Sequence, residues 1–161
     1  MTIQQYRSWF DEVLAPTEPM FRLVPPEKLD WKITETSFTL GQLLNHMPRA
    51  FWFMAKVINK EELPLKSMRE IFVSNRRQQS STPEEAVELL RSSTSDYRKA
   101  ITALTDDQFQ SGLIDTPQKG LVPYWRYAAF SLEHHIHHLM ELHLSLKVLG
   151  LKVNTGTLYV R

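Results

Sequence analysis

The sequence predicts an all-α protein built as a four-helix bundle. Three observations carry this expectation. Glycine is scarce, with five in 161 residues. Alternating, strand-like patterns are hard to find. Four long stretches repeat apolar residues at helical spacing, and four amphipathic helices in one chain of this size bury their faces best against one another. The length fits a single domain over residues 1–161 with a real hydrophobic core.

The first stretch, TIQQYRSWFDEVL at 2–14, spaces Ile3, Tyr6, Trp9, Phe10, Val13 and Leu14 as one helical face. Pro16 and Pro19 then kink or end it. VPPEKLDWKITETS reads as a loop punctuated by Pro25-Pro26. The second helix starts near Thr39, which with Gln42 forms a T-x-x-Q capping box, and runs to about Asn59. Pro48 lies inside it and predicts a kink just after His46. KEELPLKSMREIFVSNRRQQSS is a connection with room for a short helical piece around Ser67–Val73. Its length allows a crossover, so a simple up-down-up-down order does not follow.

The third helix has a full start signal: Thr82 to cap, Pro83 at the first position, Glu84 and Glu85 at the positive dipole end. It continues to about Leu104, and TDDQF adds a turn. SGLIDTPQKG reads as a loop. The last helix runs from near Pro123 to Leu149, where Gly150 suits the residue after its end. At about 27 residues it would span roughly 40 Å. The tail LKVNTGTLYVR reads as irregular.

Composition removes several functions. Lys plus Arg number 19 against 18 acidic residues, so there is no electrostatic footprint for nucleic acid. Without Cys there is no disulfide, thiolate metal site or Cys nucleophile, and any metal must sit on His and carboxylate. No apolar run reaches the roughly 18 residues that cross a membrane, and MTIQQYRSWFDEV lacks a signal-peptide pattern. A cytoplasmic location with no membrane partner is the expectation.

Five of the six histidines crowd into SLEHHIHHLMELHLSLKVLG, and the sixth, His46, stands alone on the second helix. With His134 at zero on a helical wheel, His138 falls at about 40°, Glu141 at about 340° and Ser145 at about 20°. These four make one polar stripe. Leu132, Ile136, Leu139, Met140, Leu144 and Leu146 fill most of the remaining circle, which predicts a buried helix whose stripe faces an interior site. His46 shares its face with Leu43, Ala50, Phe53 and Val57, so it points to the core.

Two imidazoles at i and i+4 can grip one metal ion, and a third from a facing helix completes a three-nitrogen site with open positions. Zn, Ni, Fe and Co all accept such a set. Plainer readings stand beside this one: a hydrogen-bonded core pair or exposed edge for the stripe, a satisfied core histidine for His46, a salt bridge for Glu141. His135, His137 and His143 point elsewhere and read as surface or interface residues. Tyr124, Trp125 and Tyr127 either wall an apolar pocket or, more in keeping with their spacing, pack in the core. Arg126 either meets an anionic substrate or is a solvated charge.

LGQLLNHMPRAFW, followed some ninety residues on by LEHHIHHLMELHLSLKVLGLKV and a short tail carrying LY, resembles the DinB-like superfamily over nearly the whole chain. That family includes YfiT-type proteins regarded as metal hydrolases and several low-molecular-weight-thiol transferases. The resemblance implies an up-down-down-up bundle, a homodimer, and a divalent metal, Zn or Ni foremost, held by His46, His134 and His138. It implies a small-molecule substrate and either hydrolysis or transfer of a small external thiol. The competing reading is a non-catalytic dimeric bundle whose metal is structural or absent. One departure stands out. Family members often follow the second histidine with a basic residue, Gly and Gln, whereas this chain has Leu139, Met140 and Glu141. Glu141 is the candidate catalytic residue: it can orient a ligand or a metal-bound water, act as a general base, or ligate.

Overall fold

Threonine sets where the helices begin. Thr2, Thr39, Thr82 and Thr105 each accept a hydrogen bond from the backbone N–H three residues on, and the Gln or Glu there accepts from the threonine N–H in return. Each such box satisfies two amide donors that a helix start otherwise leaves unpaired. The computed structural model describes residues 1–63, 70 and 79–159. In it α1 spans Ile3–Leu14, α2 Thr17–Phe21, α3 Leu40–Ile58, α4 Pro83–Thr102, α5 Asp106–Ser111 and α6 Tyr124–Val148. The mainly helical fold expected from the sequence is present, with α1, α3, α4 and α6 as its long members.

Pro16 ends the first helix and α2 follows directly. Pro48 sits within α3, which continues through it to Ile58. The piece expected around Ser67–Val73 lies outside the described residues, Glu70 apart.

Side chains give the helices their neighbours. Phe10 stacks on Tyr97 at 5.2 Å and meets Phe51 edge-on at 5.3 Å, while Phe51 lies 5.1 Å from the His135 ring. One aromatic cluster therefore joins α1, α3, α4 and α6. Tyr6 donates to the Ala128 carbonyl at 3.0 Å and shares a 2.8 Å bond with the Tyr97 hydroxyl. Burial pushes the Tyr97 phenol up to about 12, so the pair stays neutral.

The same contacts give direction. The Ser81 N–H donates to Gly41 O, and the Asn45 amide donates to Ser81 Oγ at 2.8 Å. The starts of α3 and α4 thus lie side by side. Tyr6 and Asp11 of α1 meet Tyr97 and Arg98 of α4, whereas Glu18 of α2 meets Arg91, about two turns nearer the start of α4.

Two loop expectations are corrected. SGLIDTPQKG contains the end of α5 and most of an antiparallel hairpin, β1 (Leu113–Thr116) with β2 (Gly120–Pro123), with Leu113 opposite Pro123 and Thr116 opposite Gly120. Gly120 takes φ +66°, which its lack of a Cβ permits. The tail is not irregular throughout: Asn154 caps a 3-10 turn over Thr155–Leu158. A third correction concerns α6. Ile136, Met140, Leu144 and Val148 are exposed, so this helix carries an outward apolar ridge. Among the described residues no helix is long and apolar enough to cross a membrane.

Gly41, in the first turn of α3, is closely approached by Ser80 and Leu29. A Cβ there would lie 2.7 Å from Ser80 Cβ and 3.3 Å from Leu29 Cβ. Gly41→Ala is expected to destabilise the protein by about 1–3 kcal/mol through overpacking, despite the better helix propensity of Ala. A urea midpoint equal to or above wild type would contradict this contact.

Candidate metal centre

Three imidazoles converge where α3 faces α6. His46 comes from the second turn of α3, with its side chain buried at 6% exposure. His134 and His138 sit one turn apart on α6 and are half-buried. Ring centroids are 5.1 Å apart for His46–His134, 4.6 Å for His46–His138 and 4.7 Å for His134–His138. One nitrogen from each ring can be chosen so that all three lie within 4.8 Å of one another. The Nε2 atoms of His46 and His134 are 3.1 Å apart. Nitrogens sharing a tetrahedral zinc at about 2.0–2.1 Å would be about 3.3 Å apart. The donor set and spacing therefore fit a divalent transition metal.

Electrostatics favour the same use. Burial, then the nearby His138 and His137, holds His134 down to about 3. A ring that stays neutral well below pH 7 keeps a lone pair for a ligand. No acidic side chain joins this three-residue group among the described residues. Glu141 stands next to it instead, with Oε2 3.0 Å from His138 Nδ1. That imidazole is the partner of Glu141.

Two aromatic neighbours were not singled out from the sequence. Phe38 stacks on His46 at 5.0 Å and lies 5.8 Å from His138. Phe130 lies 6.1 Å from His134, with the Lys119 ammonium 4.8 Å from its ring. Phe130 is four residues before His134, so extending the polar stripe by one turn would have found it. Phe38 precedes the cap of α3, where no periodicity applies. Of the aromatics that were named, Tyr124 and Tyr127 are buried core and Trp125 is exposed. Arg126 pairs with Glu133, Nη2 donating to Oε2 at 3.1 Å and Nη1 lying 3.0 Å from Oε1.

The remaining histidines divide. His137 is exposed, as expected. His135 and His143 are not surface residues: they are 2% and 3% exposed. His135 Nε2 lies 2.8 Å from the hydroxyl of buried Thr17, and His143 Nε2 donates to the Asn154 carbonyl at 3.1 Å. One ties α6 to α2, the other ties α6 to the tail.

The fold recurs in known proteins. A model of the DinB superfamily matches residues 10–142. The chain belongs to the DinB superfamily. The DinB-like fold also appears in a DinB-like protein from Bacillus cereus ATCC 10987, with a TM-score of 0.75 at 16% identity, covering 95% of this chain and 96% of that one. A DinB-like protein from Bacillus subtilis gives a TM-score of 0.67 at 21% identity, covering 92% and 94%. At these identities the likeness is one of fold. No curated protein matches the chain.

The buried imidazoles predict acid sensitivity in this DinB-superfamily chain. Burial holds both His134 and His135 near about 3 in the fold, against an ordinary 6.5 in the unfolded chain. The unfolded state therefore takes up protons first as pH falls. The stability these rings contribute is complete above about pH 6.5 and is lost as pH falls from there towards about 3, by up to about 1.4 kcal/mol per pH unit per ring. Urea midpoints of metal-free protein should drop between pH 7 and pH 5. His135→Gln, which can still meet Thr17, should shrink that drop; an unchanged drop would contradict the assignment.

Proposed function

We propose that this DinB-superfamily protein is a metal-dependent enzyme, either a hydrolase or a low-molecular-weight-thiol transferase, with His46, His134 and His138 as the ligands of a zinc or nickel ion. The observation that carries the reading is the convergence of three imidazoles from two helices on one point. A metal ion held by three protein ligands has positions left for water or substrate, and supplies Lewis-acid polarisation and a lowered pKa for bound water or thiol. The chain's own residues do the rest. His46, buried beneath the stacked Phe38 ring, fixes one ligand direction; His134 and His138 fix two more from a single rigid helix. Phe38 and Phe130 offer apolar walls beside the triad for a small-molecule substrate. With no Cys in the chain, a thiol substrate would come from outside.

The up-down-down-up order belongs to the same reading. It is supported by the adjacent starts of α3 and α4 and by the contacts of α1 and α2 with α4, which pass from Tyr97 at Tyr6 to Arg91 at Glu18. So does a homodimer, supported by the ridge of Ile136, Met140, Leu144 and Val148, which a second copy would cover. On this reading the protein works in the cytoplasm.

A catalytic metal is distinguished from a structural one by the core, which packs through Tyr6, Phe10, Phe51 and Tyr97 away from the triad. Stripping the metal with a chelator should leave the helical circular dichroism intact and lower the melting temperature by only a few degrees. Loss of the helical signal on chelation would point to a structural staple. Untagged protein should carry about one equivalent of Zn or Ni, lost in His46→Ala and kept in His143→Ala. Equal metal content in both variants would overturn the ligand assignment. Light scattering should give twice the chain mass for wild type and a monomer for Leu144→Lys; a monomeric wild type would remove the dimer.

A further inference from the structure

Glu141 stands three residues after His138, which on a helix places the two side chains on one face. Its Oε2 lies 3.0 Å from His138 Nδ1, with the two side chains 27% and 17% exposed. Nδ1 is thereby occupied, and Nε2 is the ring nitrogen left for the point where His46 and His134 meet. A carboxylate only accepts, so the proton between them sits on Nδ1 and the lone pair on Nε2. His46 and His134 approach each other through Nε2.

We propose that Glu141 is a positioning residue: it fixes the tautomer and ring orientation of His138 and makes Nε2 a stronger donor, in place of acting as a general base or as a fourth ligand. The inference rests on the metal-centre reading and deepens it. A carboxylate outside the coordination shell that bonds the far nitrogen of a ligand histidine acts in this way, and its loss weakens metal binding by about 10–100-fold. A direct ligand would sit among the converging nitrogens, and Glu141 is not in that group. The contact that Glu141 makes is with the His138 ring, to which Oε2 is directed.

The test is zinc affinity, by competition with a chromophoric chelator, together with the visible spectrum of the Co(II)-loaded protein. Glu141→Ala should bind zinc about 10–100-fold more weakly and shift the Co(II) bands, with unchanged helical circular dichroism. Glu141→Gln keeps an oxygen that can accept the same N–H, so it should rescue most of the spectrum and part of the affinity. Should Glu141→Ala fail to fold, Glu141→Gln still carries the test, because it loses the charge alone and must bind more weakly than wild type. Affinities within twofold of wild type in both variants, with unchanged Co(II) spectra, would overturn the positioning role while leaving the metal centre standing. A wild type that binds neither ion would overturn both.

Discussion

The packing of α3 against α6 is the contact on which both the core and the site depend. On one side of that seam Phe51 reaches across to the His135 ring and joins the Phe10–Tyr97 stack. On the other, His46 reaches across to His134 and His138. The apolar half stabilises the fold by removing large rings from water. The polar half would be costly in the same place if its imidazoles were charged. Burial resolves this for His134 and His135 by keeping the rings neutral, and a neutral imidazole is also the form that binds a metal. The same desolvation that makes a bundle of this size stable therefore prepares the ligands.

Much of the architecture is legible in the sequence because helix starts and faces are local properties. T-L-G-Q and T-P-E-E announce α3 and α4, and the boxes at Thr2 and Thr105 follow the same rule. The hairpin is not legible in this way. Its strands are four residues each, too short for alternation to register, and its one local sign is Gly120 closing the turn. The grouping of His46, His134 and His138 is legible in part: i and i+4 on one helix bring His134 and His138 together, whereas His46, which periodicity alone leaves as a core histidine, joins them through the resemblance to the DinB-like superfamily.

What escapes the wheel is where polar residues find partners in distant sequence. His135 and His143 look outward because they leave the His134–His138 stripe, yet Thr17 and the Asn154 carbonyl receive them in the interior. The converse error concerns Ile136, Met140, Leu144 and Val148. Apolar side chains nearly all round a helix suggest burial on every side, but a single bundle has too few neighbours to cover the whole circumference of α6. Glu141 escapes for a third reason. Its partner is the very histidine that defines the stripe, and a wheel shows proximity without showing which ring nitrogen is used.

The proposed centre has these three histidines holding one metal ion with positions left over. X-ray absorption on zinc-loaded protein reads this directly. Such a centre should show three imidazole nitrogens at about 2.0–2.1 Å together with one or two light-atom donors from solvent. Four or more imidazoles, or fewer than three, would contradict it.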